Sequence, residues 1–144
     1  DGDAWVVRGN GDLRTVRWAG AGAPRLADAR DVAGYVAGPG GTYIHLTSGS
    51  ARFTLDSAQQ TQPYVRDASG RLSNWQRSAD GRSLSVDVAG YTRPFIRFAN
   101  AARCRATVDG REVTGTHGAD WRIDLGAGNP DKLVPQRVAL TCGA

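Results

Sequence analysis

The sequence lacks methionine and has few of the residues from which active sites are commonly built: two histidines, two cysteines and a single glutamate, Glu112, among 144 residues. His45 and His117 have no neighbour at the spacing of metal ligands, and no GxSxG turn is present. No apolar run approaches the roughly 18 residues that would cross a membrane. We therefore expect no metal, no cofactor and no membrane span.

Carboxylates for glycoside hydrolysis are harder to exclude, because an acid pair can meet only in the fold. Glycine-rich stretches at 38–41 and 126–128 do not precede helix-like segments, so a phosphate cradle is not indicated. We expect no catalytic residue, and a small glycoside hydrolase with an unrecognised carboxylate pair stays open as an alternative. Most aspartates occupy turn positions, where their side chains bond the local backbone: Asp67, Asp80, Asp109 and Asp131.

Length and composition indicate one domain. A chain of 144 residues, 40% of them hydrophobic, can bury one core but not two comfortable ones, so a single unit spanning residues 1–144 is expected. Its 19 glycines recur between short apolar stretches, as in proteins of many strands joined by turns. The chain begins at Asp1 without methionine, which indicates a removed leader or a piece of a larger protein.

The net charge of +4 raises nucleic acid as a partner. Lys132 is the only lysine, so the other basic residues are arginines, and they are scattered singly with acids among them. No stripe of like charge could follow a phosphate backbone. We expect no nucleic-acid partner, although a general preference for anionic ligands agrees with the charge.

The two cysteines, Cys104 and Cys142, each lie at the end of a β-like stretch and lack metal spacing. We expect them to form a disulfide bond, and with it a secreted or periplasmic location, because disulfides persist in oxidising compartments. The alternative is a pair of buried thiols packed as small hydrophobic side chains.

Strand patterns dominate the chain. Leu84, Val86 and Val88 alternate with polar residues, which predicts one buried and one solvated face. Clusters of turn residues predict three hairpins, formed by residues 4–8 with 13–18, 42–47 with 51–56, and 71–77 with 82–89. Further strands are predicted at 94–99, 104–108, 112–116, 121–125 and 136–142. Residues 24–32 fit either a short helix or an ordered loop.

About ten short strands at this spacing predict an all-β fold, an antiparallel β-sandwich that is jelly-roll-like and has at most one short helix. Within such a fold, Trp121 shares a face with two aliphatic residues and is expected in the core. Trp5 and Tyr43 lie in apolar stretches and are also expected there.

The remaining aromatic residues suggest carbohydrate binding, because aromatic rings pack on the C–H faces of sugars while polar side chains bond the hydroxyls. Trp75 is flanked by polar residues, which makes it the first choice for an exposed platform, and its replacement by alanine is expected to weaken binding without lowering the melting temperature by more than a few degrees. The full set of candidate binding residues is Trp75, Tyr64, Tyr91, Trp18, Arg66, Asn74 and Arg77. His45, in a predicted strand, and His117, in a predicted solvated turn, are expected to be dispensable for binding.

Several stretches occur in an order that resembles the accessory β domain of secreted bacterial exopolysaccharide-processing enzymes, nearest the Pel polysaccharide deacetylase/hydrolase. They are residues 13–17, 31–35, 43–46, Trp75, 90–98 and Cys104. The resemblance implies an extracytoplasmic domain that helps a neighbouring catalytic domain to engage an exopolysaccharide.

Together these observations predict a non-catalytic carbohydrate-binding module with polysaccharide as its partner. The alternative from another class is an immunoglobulin-like domain that only spaces or docks its neighbours. Coplanar exposed rings on a sheet face or loop rim would favour the binding module over the spacer.

Overall fold

The computed structural model describes residues 4–8, 15–20, 22–56, 60–90, 93–126 and 134–143. Helical structure in these residues is limited to one 3-10 turn, Leu26–Asp28. The strands are β1 Ala4–Arg8, β2 Thr15–Trp18, β3 Ala23–Pro24, β4 Val32–Gly38, β5 Gly41–Leu46, β6 Ser50–Asp56, β7 Tyr64–Ala68, β8 Arg71–Arg77, β9 Ser83–Ala89, β10 Phe95–Ala99, β11 Cys104–Val108, β12 Arg111–Glu112, β13 Trp121–Asp124 and β14 Gln136–Cys142.

The C-terminal part of the described chain is a sandwich of two antiparallel sheets. One sheet has the strand order β12-β11-β14-β9-β8, and the other has the order β13-β10-β7. Their facing sides form the larger hydrophobic core, in which Val65, Leu84, Phe98 and Leu140 are buried. Most of these strands contribute alternate residues to that core, as the pleat requires, whereas both residues of β12 are exposed. The prediction of an all-β, antiparallel, sandwich-like fold is thereby confirmed.

The N-terminal part contains two smaller antiparallel sheets, with the orders β1-β6-β3 and β2-β5-β4. They enclose a second, smaller core that includes Leu26, Ile44, Leu46 and Phe53. Two of the predicted hairpins are wrong, because β1 pairs with β6 rather than β2, and β5 pairs with β2 and β4 rather than β6. The residues after β5 form a turn, but this turn carries the chain from one sheet to the other.

The two parts meet where β4 crosses β7. A Cβ atom at Gly34 would overlap the carbonyl oxygen of Val65, so only glycine allows this approach. Beside it, the rings of Tyr35 and Tyr64 stack with centroids 4.6 Å apart and planes 8° apart. The contact between the two cores is therefore close and partly aromatic.

The predicted disulfide is present. Cys104 and Cys142 are paired in the register of β11 and β14, and their sulfur atoms are bonded. The bond joins β14, the middle strand of the larger sheet, to its neighbour β11.

Some local predictions need correction. Trp121 is buried as predicted, but Trp5 is 46% exposed and Tyr43 is only half-buried. Trp5 lies on β1 at the edge of a small three-stranded sheet, where the described residues cover only part of its side chain. The strand expected at 112–116 is reduced to β12. Residues 24–32 form the end of β3, the 3-10 turn and extended chain.

The described residues include no helix long and apolar enough to span a membrane.

Candidate functional site

The outer face of the five-stranded sheet is solvent-facing and carries a shallow groove. Two depressions of about 370 and 420 Å³ lie side by side on it and share Ala139 and Thr141 of β14. We call the joined depression the outer groove and define it by eight residues: Gln76, Ser83, Ser85, Arg105, Thr107, Glu112, Ala139 and Thr141.

Strand alternation explains why the floor of the outer groove is polar and flat. On β9 the residues Leu84 and Val86 point into the core, which leaves Ser83 and Ser85 on the opposite face. On β14 the same alternation places Ala139 outward, directly opposite Ser85. These side chains are short, so a ligand on the groove can approach the sheet closely.

One end of the outer groove is held by Arg137. Its Nη1 donates to Asp87 Oδ1 at 3.0 Å and to the Asn74 carbonyl at 2.7 Å. Its Nη2 donates to Ser85 Oγ at 2.6 Å and to Gln76 Oε1 at 3.3 Å. The guanidinium thus links β8, β9 and β14 and fixes two of the groove residues in place.

Asn74, one of the predicted binding residues, belongs to this framework. The β8–β9 register shifts between Ser73 and Gln76, and Asn74 there has a φ of 51°. Asparagine tolerates this left-handed conformation better than most residues. Its side-chain nitrogen donates to Asp87 Oδ2 at 3.3 Å. Asn74 therefore borders the groove as a support for Arg137.

Of the neighbouring candidates on β8, Arg77 lines one of the two depressions, whereas Trp75 does not. Trp75 is half-buried and packs against the larger core, so its polar sequence neighbours do not indicate an exposed ring. The Arg77 guanidinium lies against Gly81, and its Nε is buried with no hydrogen-bond partner among the described residues. Burial also lowers the pKa of Arg77 from its usual value.

Tyr64 and Arg66 lie on β7, in the other sheet of the sandwich. One face of the Tyr64 ring is covered by Tyr35, so that face is closed to a sugar. Arg66 Nη1 lies 3.3 Å from Asp120 Oδ2. These two candidates share a strand with each other but not with the outer groove.

Trp18 is the only candidate on the N-terminal sheets. Its ring contacts Trp5, with centroids 4.8 Å apart and an angle of 60° between the planes. Trp18 is half-buried against the smaller core, whereas Trp5 is the more exposed partner. Tyr91 lies outside the described residues. The six candidates that the structure describes therefore fall into separate regions rather than one platform.

Both histidines have structural contacts. His45 Nε2 lies 2.6 Å from the Arg66 carbonyl oxygen and must donate to it, because a carbonyl only accepts. Burial lowers the pKa of His45, which favours its neutral form. His117 is not a solvated turn residue: its ring stacks on Trp121 at 3.5 Å, and its Nε2 lies 2.9 Å from the Ala101 carbonyl oxygen.

The described residues contain no group of three or more metal-ligating side chains. A larger depression of about 780 Å³ lies between β12 and β13, with the core residues Trp121, Ile123 and Leu125 among its lining.

The sequence reasoning missed the outer groove because its members are common surface residues. Alternation on β9 and β14 marks Ser83, Ser85, Ala139 and Thr141 as outward-facing, and this signal was available. The pairing of β9 with β14 could not be predicted, because these strands lie far apart in the chain. Comparison with known proteins adds no assignment, because no family model, no curated protein and no solved structure matches this chain.

Proposed function

We propose that this chain is a non-catalytic polysaccharide-binding module and that the polymer lies along the outer groove. The observation that carries the proposal is the groove itself: a rigid, open sheet face floored by short hydroxyl and methyl side chains and closed at one end by the Arg137 network. An open groove accepts the middle of a long chain, whereas a closed pocket would accept only an end.

The groove offers the hydrogen-bonding groups that sugar hydroxyls need. The hydroxyls of Ser83 and Thr141 can each donate and accept, as a sugar hydroxyl does. At the far end, Arg105 supplies donors and Glu112 supplies acceptors. Because each exposed hydrogen bond nets only about 1 kcal/mol, useful affinity requires several sugar units to be bound at once.

The described tryptophans do not form an aromatic platform that would support the proposal. Trp75 packs against the core, and Trp5 and Trp18 are inclined to each other rather than coplanar. Binding in the outer groove would therefore depend on hydrogen bonds and on shape more than on ring stacking. Such binding is expected to be weak for a single sugar and to grow with chain length.

The carboxylates near the groove argue for binding rather than hydrolysis. Glycoside hydrolysis generally needs two carboxyl groups about 5–10 Å apart. Glu112 is the one acid among the eight groove residues, and Asp87 is bound to Arg137. The groove thus provides recognition groups without an acid pair on its floor.

The disulfide supports an oxidising location outside the cytoplasm. In that setting the module would hold a neighbouring catalytic domain close to its exopolysaccharide, as the resemblance to exopolysaccharide-processing enzymes implies. The alternative is a spacer domain. The close packing of its two cores at Gly34 and Val65 would suit a domain that only separates its neighbours.

Blocking the groove tests the proposal. Ala139→Trp places an indole at the centre of the groove, and Ala119→Trp adds the same group at an exposed position outside it. Affinity electrophoresis against a panel of soluble polysaccharides should show a retarded wild-type protein, a retarded Ala119→Trp control and at least tenfold weaker retardation of Ala139→Trp. Equal retardation of the two variants would contradict the groove, and no retardation of wild type by any polymer would favour the spacer.

A further inference from the structure

Two arginines lie directly opposite each other on the N-terminal part. Arg30 and Arg52 form an isolated antiparallel bridge outside the regular pairing of β6 with β1 and β3. Arg30 N donates to the Arg52 carbonyl at 2.8 Å, and Arg52 N donates back to the Arg30 carbonyl at 3.2 Å. Residues paired in this way have their Cα atoms about 5.5 Å apart and their side chains on the same side of the sheet.

This juxtaposition is unfavourable for the free protein. Like charges directly opposite on neighbouring strands repel, and both arginines are exposed. Among the described residues, no carboxylate lies within the 4.0 Å of an ion pair from either guanidinium. Two cations are thus held together by the backbone with no anion of the described chain between them.

The surroundings limit what could bind there. Val6 is paired with Arg52 on β1 and is 54% exposed, so an apolar surface borders the pair on one side. The nearest acids along the chain are Asp28, which lies 3.5 Å from Arg25, and Asp31, which is exposed. The site is a compact pair of cations beside an apolar residue and not a continuous basic stripe.

We infer that Arg30 and Arg52 form a binding site for an acidic group of a polysaccharide, a carboxylate or sulfate whose oxygens bridge the two guanidinium groups. The inference rests on the proposed function and names the class of polymer, which the arginine pair would hold at a second surface on the N-terminal part, apart from the outer groove. Guanidinium groups bind such oxyanions in bidentate geometry, and a shared anion removes the repulsion between the two cations. The net charge of +4 favours the approach of an acidic polymer.

A nucleic acid would need more than this pair. Duplex binding neutralises phosphates along a continuous track of cations. The arginine pair is instead bordered by Val6 and by Asp28 and Asp31 on its own segment. An acidic polysaccharide presents single charges separated by uncharged ring atoms, which fits one cation pair next to an apolar residue.

The test compares Arg30→Gln and Arg52→Gln with Arg93→Gln, which removes the same charge from an exposed arginine elsewhere. Binding to polygalacturonate, dextran sulfate, neutral dextran and duplex DNA is measured at low and high ionic strength. We expect each pair variant to weaken binding to one or both acidic polysaccharides by about tenfold at low ionic strength, and Arg93→Gln by less than about twofold. The pair variants should also melt at a slightly higher temperature than wild type without ligand, since they relieve the repulsion.

Three results would overturn the inference: an equal loss in Arg93→Gln, unchanged binding of both acidic polymers by the pair variants, or a loss confined to DNA. The proposed function fails separately. Ala139→Trp reports on the groove. If polymer binding is lost in Ala139→Trp but unchanged in the pair variants, the proposed function stands and only the acidic class of polymer is rejected.

Discussion

Cys104 and Cys142 are direct cross-strand neighbours on β11 and β14, and the bond between them closes a sequence separation of 38 residues. The bond joins two strands of one sheet, and all of β13, a strand of the other sheet of the sandwich, lies within the closed loop. The bond therefore restricts the unfolded chain across most of the C-terminal half.

We predict that the double variant Cys104→Ala/Cys142→Ala is less stable than wild type by about 4 kcal/mol, because a loop of this size loses roughly that much closure entropy. Urea titration of both proteins measures the difference, and wild type with reductant should approach the variant. A loss below about 1 kcal/mol would show that the crosslink does not restrict the unfolded state as inferred.

Trp75→Ala is predicted to destabilise the protein by about 2–3 kcal/mol, somewhat less than a fully buried tryptophan would. The reason is that Trp75 packs against the larger core while remaining half-exposed. This differs from the sequence-based expectation of an almost unchanged melting temperature. Trp5→Ala is the matched control, since Trp5 is 46% exposed, and it should cost less than half as much. Calorimetry that ranks the two variants in the opposite order would return Trp75 to the list of platform residues.

Stability is predicted to fall on acidification through His45. Burial lowers the pKa of His45 in the folded protein, whereas in the unfolded chain its pKa is about 6.5. Below that pH the unfolded state binds the proton more readily, so the free energy of unfolding decreases, and above it the contribution is constant. His45→Gln should flatten the stability profile below about pH 6.5 compared with His117→Gln. Identical slopes in the two variants would exclude His45 as the cause.

Gly34→Ala is predicted to disrupt the contact between the two cores. The added methyl group would overlap the Val65 carbonyl oxygen, which is backbone and cannot move aside cheaply. We expect a loss of several kcal/mol, at the upper end for single substitutions. Gly118→Ala is the control, since nothing lies within 4 Å of its new methyl group. Equal melting temperatures for the two variants would mean that β4 and β7 are further apart than described.

Strand periodicity was sufficient to locate most strands of the C-terminal sheets, but not β7 and not the pairing between distant strands. β9, β11 and β14 were located almost to the residue, because alternating apolar side chains and nearby turns fix both face and length. The N-terminal hairpins were wrong for a different reason. The Ser48-Gly49-Ser50 turn shows that the chain changes direction, but the partner of each strand depends on packing against strands elsewhere in the sequence.

The candidate site was less predictable than the fold. Polar neighbours suggested that Trp75 is exposed, yet the irregularity at Asn74 in β8 lies next to it, and the ring packs against the core. Conversely, Trp5 lies in an apolar stretch but on an edge strand, where the described residues leave its side chain 46% exposed. In both cases the exposure of the ring depends on sheet geometry and not on adjacent residues.

The most direct measurement of the central claim is an NMR titration of the isotope-labelled protein with an oligosaccharide of a polymer that retards it. The account predicts that the largest backbone amide shifts fall on Ser83, Ser85, Ala139 and Thr141, with smaller shifts at Gln76 and Arg137, which border the groove. Shifts centred on Trp5 and Trp18, with the five-stranded sheet unchanged, would contradict the outer groove as the polysaccharide-binding surface.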